Sequence, residues 1–440
     1  MKKQLLKILT IILVSTSAFA QQGDGGTPKT FGLKSNGTPI DKHTFAMPNI
    51  QVLKAEDAIT ESQKTGPWRF GYNNAVNLDM NNSGTWTELQ NGGRIWQLEL
   101  ACENALTVNL TLDNVVIPEG NELYVYNPQK DFILGKFTSY HLYEGELGTE
   151  LVPGSTAIVE YYVAPQNANE VAKLTINTVT HGYRTATEFQ EKAFGSSGNC
   201  NMNANCSDAD PWDLQRRSAI MLVVGSNGFC SAAMINNTQN DGKPYVLTAN
   251  HCSNYGGGPA NWIFRFNWQI SPEDMNQLDC TLNPTGSPTF TSLSGAVLRA
   301  KRTPSDFCLV EITGGLVGGT VPNSYGTYFA GWDNSDAIPT SAICFHHPSG
   351  DIKKASFDDD ALVSGNEMFS SENDSQWEVE WDRNTTTEGG SSGSPLFDQN
   401  GRIIGQLWGG GASCSNLSAP DFYGKVSYSW NPSGSNSTNQ

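Results

Sequence analysis

The chain has 440 residues, a formal net charge of −17 and 44 glycines. An acid excess of that size argues against nucleic acid or an anionic membrane surface as partner, because both recruit basic patches. Glycine abundance, 10% aromatic residues and short apolar runs favour β architecture over helical.

Residues 1–20 carry Lys2-Lys3, an apolar stretch from Leu5 to Val14 and then Ala18-Phe19-Ala20. That pattern predicts a secretory signal peptide cut between Ala20 and Gln21, and hence a secreted protein. No later apolar run reaches the length of a membrane span, so no membrane partner is expected. The chain beyond Ala20 is too long for one ordinary domain and predicts two, dividing near residue 194. Residues 21–62 are rich in Gly, Thr, Pro and Lys without a clear period and predict a loosely ordered lead-in. Residues 63–194 predict a jelly-roll-like β-sandwich. Segments 94–100, 106–112, 122–126, 157–163 and 172–176 alternate apolar with polar, as strands with one buried face do. Turn residues such as Pro118-Glu119-Gly120-Asn121 and Pro153-Gly154-Ser155 separate them. Residues 195–440 predict further strands at 218–224, 245–247, 262–266, 377–381 and 402–407, suited to a pair of antiparallel barrels.

Three segments of that second half carry chemistry. Gly389-Gly390-Ser391-Ser392-Gly393-Ser394-Pro395 leaves little bulk around one hydroxyl, that of Ser392. It also lets successive backbone N–H groups converge where an oxyanion would form. Upstream, Thr248-Ala249-Asn250-His251-Cys252 joins a His directly to a Cys, and Ser305-Asp306-Phe307 leads into an apolar run. The order His251, Asp306, Ser392 is that of the chymotrypsin-type Ser-His-Asp proteases and predicts a catalytic triad at the junction of two barrels. The N–H groups of Gly390 and Ser392 are the expected oxyanion hole. Of the nine cysteines, all but Cys102 lie in the second half, which in an exported chain predicts a disulfide framework. There is no C-x-x-C and no H-E-x-x-H, and adjacent His346-His347 face one metal poorly, so neither a metal nor a cofactor is expected.

The second half resembles the lysyl endopeptidase family, bacterial members of the trypsin-like superfamily. The matching residues run from Gly195 to Cys200 and on through Cys206, Cys230, His251-Cys252, Ser305-Asp306-Phe307 and His346-His347-Pro348-Ser349-Gly350. They continue through Gly389 to Pro395, Gln406-Leu407-Trp408-Gly409-Gly410, Cys414 and Asp421-Phe422-Tyr423-Gly424. The resemblance implies a chymotrypsin-like double β-barrel with disulfides Cys200–Cys414, Cys206–Cys280 and Cys230–Cys252. Cys308 and Cys344 are left as small core residues. The bridge beside His251 would close a loop of about 22 residues, roughly 3 kcal/mol on the chain-entropy model.

Specificity then needs a charge. Trypsin-like pockets place an Asp six residues before the serine, where this chain has Thr386. The resemblance assigns that role to Asp421, which would face the compact ammonium of Lys better than the wider fork of Arg. Glu388 is a second candidate acid and Trp408 a candidate pocket wall. The competing readings are a solvated Glu388, an Asp421 that merely opens a strand, and a Trp408 in the core.

Ser391 precedes the nucleophile where an Asp would pair with a new amino terminus, so activation by that ion pair is excluded. Removal of a covering propeptide, the first domain, is expected instead, and Lys192 lies just upstream of the expected mature start. Phe194 directly before Gly195 points to a helper protease for trimming. The tail from residue 431 has no amphipathic closing helix, which reads as a truncated or divergent end. The expected product is a monomeric serine endopeptidase acting on protein and peptide substrates, with its own propeptide as partner. The alternatives are a catalytically impaired binding protein, or a protease of non-basic specificity. In the latter the first domain stays as a carbohydrate- or surface-binding module, with Trp68, Trp86 and Trp96 stacking on sugars.

Overall fold

Alternation of apolar and polar side chains builds Arg94–Cys102 and Thr156–Val163 as neighbours in one sheet. The structure, a computed structural model, describes residues 21–33, 39–62, 64, 66–170, 172–184, 196–270, 280–281, 290–365 and 374–430. The expected signal peptide, Lys192, Phe194, Gly195 and the tail from residue 431 lie outside these residues. Among the described residues no helix is long and apolar enough to cross a membrane.

The first half is a two-sheet sandwich. One sheet is ordered Asp41–Phe45, Arg94–Cys102, Thr156–Val163, Glu122–Tyr126, Ile133–Phe137, with Thr85–Glu88 also on Arg94–Cys102. The other is ordered Leu147–Gly148, Thr107–Val116, Lys173–Gly182, Gly71–Asp79. Trp96, Leu98 and Leu100 from the first sheet meet Leu110, Leu112 and Ile176 from the second in one dry core.

The described residues of 21–62 hold regular elements where a loose lead-in is expected. Asp41–Phe45 pairs in parallel with Arg94–Cys102, so the sandwich begins before residue 63. Ile50–Glu61 is a helix capped by Asn49, whose side chain accepts from the Val52 N–H. Only Leu53 and Asp57 of this helix are buried. Its order comes from tertiary ties that no local period reports. Asp57 accepts from Arg69 Nε at 2.7 Å and from the Tyr183 hydroxyl at 2.7 Å, and it also pairs with Arg184.

The second half is two antiparallel barrel-like sheets. The first is ordered Thr291–Ser294, Ile263–Phe266, Ala219–Val224, Gly228–Ile235, Tyr245–Ala249, Phe307–Ile312, Ala296–Arg302. Ile220, Leu222, Met234, Phe264 and Val310 fill it. The second is ordered Met202–Asn203, Lys354–Asp358, Ala342–His346, Pro395–Asp398, Ile403–Gly410, Asp421–Lys425, Gln376–Val379, Val363–Gly365. Leu396, Leu407, Trp377 and Tyr423 fill that one. A further layer, including Ala233, Leu247, Phe345, Phe397 and Ile403, packs the barrels on each other. A short helix, Val426–Trp430, follows the last strand.

The two halves are stitched together rather than merely linked. Gln21–Gln22 adds to the first barrel sheet in parallel with Thr291–Ser292, and Trp68–Arg69 adds in antiparallel fashion to Gly228–Phe229. Trp68, Phe70 and Leu151 share a core with Met221, Val223, Phe229, Ile263 and Trp268. Beside it, buried Glu150 accepts from Arg265 Nε at 3.0 Å and Nη2 at 2.5 Å, and from the Ser292 hydroxyl.

Candidate active site

Each proposed catalytic side chain sits where a strand ends. His251 lies in the short helix Asn250–Ser253, which continues Tyr245–Ala249. Asp306 immediately precedes Phe307–Ile312 and takes φ +52, a left-handed conformation that Asp tolerates better than most residues. That turn sends the Asp306 carbonyl to the Asn250 N–H at 2.7 Å and its Oδ1 to the His251 N–H at 2.8 Å. Oδ2 lies 2.6 Å from His251 Nδ1. A carboxylate only accepts, so Nδ1 carries the proton and Nε2 is left as the acceptor. Burial pushes the Asp306 carboxyl up, and the His251 ring and the two backbone donors work against that shift.

Ser392 is buried in the turn before Pro395–Asp398. The turn is held by Ser391 N to Glu388 O at 3.0 Å, Ser394 N to Ser391 O at 2.9 Å and Gly393 N to Leu407 O at 2.8 Å. Ser392 O in turn accepts from Ser231 N at 2.8 Å. Gly390 has φ +93, and a Cβ there would press on the His347 carbonyl, so glycine is required. Among the described residues the Gly390 and Ser392 N–H groups have no hydrogen-bond partner. Two unspent donors beside a serine hydroxyl are what an oxyanion site needs.

Beneath the turn runs a chain that sequence reading did not find. Ser356 Oγ donates to the Thr386 carbonyl at 2.6 Å and faces His346 Nε2 at 3.0 Å, while His346 Nδ1 faces Ser391 Oγ at 2.7 Å. Ser391 Oγ also accepts from the Glu388 N–H at 3.2 Å. Because Ser356 spends its proton on Thr386, Nε2 of His346 carries a proton, and a neutral ring then accepts from Ser391 at Nδ1. Burial, with Lys64 and Lys354 nearby, pushes its imidazolium down to about 3, in keeping with that state. His346 thus pins Ser391, the position at which an Asp–amino-terminus ion pair would otherwise act.

The space in front of Asp421, the expected specificity pocket, is already filled. Asp421 is fully buried at the start of Asp421–Lys425. Its Oδ2 accepts from the Thr387 hydroxyl at 2.6 Å and Trp381 Nε1 at 2.8 Å. Its Oδ1 accepts from Lys64 Nζ at 2.6 Å, and Lys64 Nζ also donates to Thr387 Oγ1 at 2.8 Å. The lysine is 2% exposed, and its carbonyl oxygen accepts from Ser392 Oγ at 3.2 Å. A lysine of the first half therefore spans from the candidate nucleophile to the pocket floor. Burial pushes the Lys64 ammonium down, and Asp421 pulls it back up.

The other candidates separate. Thr386 is buried, but its hydroxyl turns to the Thr387 carbonyl at 3.3 Å, so the pocket hydroxyl belongs to Thr387. Glu388 is not on the pocket floor, because its carboxylate accepts from Gly198 N at 2.8 Å and Asn201 Nδ2 at 3.0 Å. Trp408 is half-buried on Ile403–Gly410. Trp381, on the carboxylate itself, was missed because nothing local marks it. Disulfides join Cys200 to Cys414, Cys206 to Cys280 and Cys230 to Cys252, while Cys102, Cys308 and Cys344 are buried thiols. Among the described residues the one His/Cys/Asp/Glu group close enough to share an ion is Cys230, His251 and Cys252, whose sulfurs are already bonded to each other. The tryptophans considered as sugar platforms are engaged: Trp96 is fully buried, Trp68 stacks on Phe229 and Trp86 lies under Arg94.

Two barrel-like sheets meeting at a His, an Asp and a Ser define a serine protease of the trypsin type. The family described as "Lysyl endopeptidase, C-terminal domain" matches residues 194–424, and the chain belongs to it. Among solved structures it is similar to the thermostable serine protease AL20 from an extremophilic microorganism. That match has 16% identity over 47% of this chain and 89% of that one, with TM-score 0.33. It is also similar to the HtrA-type protease AlgW with a tripeptide, at 16% identity over 50% and 60% of the chains and TM-score 0.32. A third match is Deg5, at 12% identity over 50% and 88% and TM-score 0.32.

Proposed function

We propose that this chain is the precursor of a secreted serine endopeptidase that cuts on the carboxyl side of Lys, with Arg accepted more weakly. The observation that carries the reading is the ammonium of Lys64 on Asp421 and Thr387 while the same residue's carbonyl meets Ser392. An extended alkyl chain ending in a compact cation fits that depth, and one buried carboxylate answers one ammonium.

In the proposed reaction His251 Nε2 takes the Ser392 proton as Oγ attacks the carbonyl carbon of the lysine to be cut. The negative oxygen forms against the N–H groups of Gly390 and Ser392. Asp306 holds the imidazolium in register, His251 then protonates the leaving amine, and water resolves the acyl-enzyme by the same steps in reverse. The first half is proposed to be a propeptide that is removed after export, and the released enzyme works as a monomer on proteins and peptides without a cofactor. Cleavage profiling of the processed enzyme on a proteome tests this reading. Strong enrichment of Lys on the amino side of the cut supports it, and cuts without basic preference overturn it.

A further inference from the structure

The segment around Lys64 occupies the cleft in a manner that a substrate does not. A peptide bound for cleavage lies along a protease cleft as an added extended strand. Lys64 instead has φ +53, and its N–H donates back to the Glu61 carbonyl at 3.3 Å, prolonging the turn at the end of Ile50–Glu61. Its carbonyl oxygen is not among the acceptors of Gly390 or Ser392 N–H; it takes the Ser392 hydroxyl proton at 3.2 Å. His251 Nε2, which should receive that proton, is buried without a hydrogen-bond partner among the described residues. The nucleophile is therefore turned away from its base and the oxyanion donors stand unused.

The segment is also anchored on both sides. Before it, Glu61 pairs with Arg184, and Asp57 holds Arg69, Tyr183 and Arg184 together. After it, Trp68–Arg69 is hydrogen-bonded into the first barrel at Gly228–Phe229, with Trp68 stacked on Phe229. A Cβ on Gly389 would lie 3.2 Å from Trp68 and 3.4 Å from Glu61, so both anchors bear on the turn of the nucleophile itself.

Resting on the lysyl endopeptidase reading above, we propose that Lys64 is a non-productive plug. It fills the pocket with the side chain the enzyme prefers, yet holds its own peptide bond out of catalytic alignment. The uncut chain is thereby latent without consuming the plug, and activation requires a cut elsewhere followed by withdrawal of the Ile50–Glu61 to Trp68–Arg69 segment.

A biotinylated lysyl diphenyl phosphonate, which phosphonylates an accessible active-site serine, tests this on the full chain from residue 21. Labelling is read by mass on uncut protein. The uncut wild type should label at least about 10-fold more slowly than Lys64→Ala or Lys64→Met, the second variant keeping the apolar stem should the first fail to fold. Equal rates in wild type and variants overturn the plug. Rapid appearance of a fragment beginning at residue 65 overturns its non-productive character. A second readout needs no catalysis and leaves Lys64 in place: in the Ser392→Ala chain, the Lys64 amine should resist acetylation by an N-hydroxysuccinimide ester under conditions that modify exposed lysines. Modification of Lys64 at the rate of exposed lysines overturns the proposal. Failure of the specificity reading is separate, since it would show in processed enzyme that lacks Lys64 and still refuses the lysyl probe.

Discussion

Among the described residues two buried ion pairs join the halves of this molecule, and they are built differently. Arg265 meets Glu150 through two nitrogens, and the Ser292 hydroxyl adds a third donor. The guanidinium also lies close to the rings of Phe290, Trp268 and Phe229, so aromatic contacts add to its ion pair. Lys64 meets Asp421 through one ammonium, and the carboxylate keeps Thr387 and Trp381 when the lysine is subtracted. The first pair is a clamp whose members need each other. The second has one half fixed by Thr387 and Trp381 and one half held by a single ammonium, which suits the binding pocket proposed for it. Fixed donors around Asp421 would keep the anion oriented for the cation of a substrate on that proposal.

The largest expected effect is on the clamp. Glu150→Gln, made in the Ser392→Ala chain to prevent self-cutting, should lower unfolding free energy by about 3–5 kcal/mol, because it strands a buried guanidinium. Denaturant titration measures this, and a loss below about 1 kcal/mol would erase the distinction between the pairs. The pocket answers in activity instead. Asp421→Asn in processed enzyme, cut from the folded full chain, should reduce kcat/KM on lysyl peptides by about 10²–10³-fold. Steady-state assays that find little change would remove Asp421 as the selector. Thr387→Val, which deletes one hydroxyl from both the carboxylate and the ammonium, should cost about 10-fold in the same assay.

The smallest effect concerns pH. His346 in the folded chain is pushed down to about 3, below its ordinary value near 6.5. Between those values the unfolded chain binds a proton that the folded chain refuses, so this group's contribution is complete above about 6.5 and is lost as pH falls toward 3. At about pH 5.5 the loss should be roughly 1 kcal/mol, and His346→Gln should flatten that part of the stability profile. His347, also pushed down by burial, acts in the same sense and keeps its share in the variant. An unchanged acid limb in His346→Gln would disconnect the imidazole from the turn it supports.

Local chemistry was legible in the sequence, and long-range occupancy was not. The segments around His251, Asp306 and Ser392 are short and self-contained, and the structure brings His251 onto Asp306 at the mouth of the cleft. Strand segments such as 94–100 and 157–163 declare themselves by partial alternation and β-branched or aromatic content, although both faces of Thr156–Val163 prove buried. Lys64 carries no such mark. It is one lysine in a polar stretch, and its meaning comes from Asp421, 357 positions away. The Ile50–Glu61 helix escaped for the same reason, since Asp57 is buried by Arg69, Tyr183 and Arg184 rather than by an apolar stripe. Thr386 and Thr387 illustrate a finer limit. Counting back from the serine finds the neighbourhood, but a single step along the backbone decides which hydroxyl faces the carboxylate.

If the first half is removed as proposed, the strands it lends to the barrel leave a cost behind them. Gln21–Gln22 covers Thr291–Ser292, and Trp68–Arg69 covers Gly228–Phe229. Withdrawal turns both places into bare sheet margins whose backbone donors and acceptors invite a strand from another molecule. Phe229 loses the ring of Trp68 at the same moment, so the newly opened margin is sticky as well as unpaired. The shortness of the uncovered stretches, two residues at each place, limits that hazard. On the propeptide proposal, self-association should therefore be sought in concentrated protein just after the first half is cut away, rather than in the intact chain.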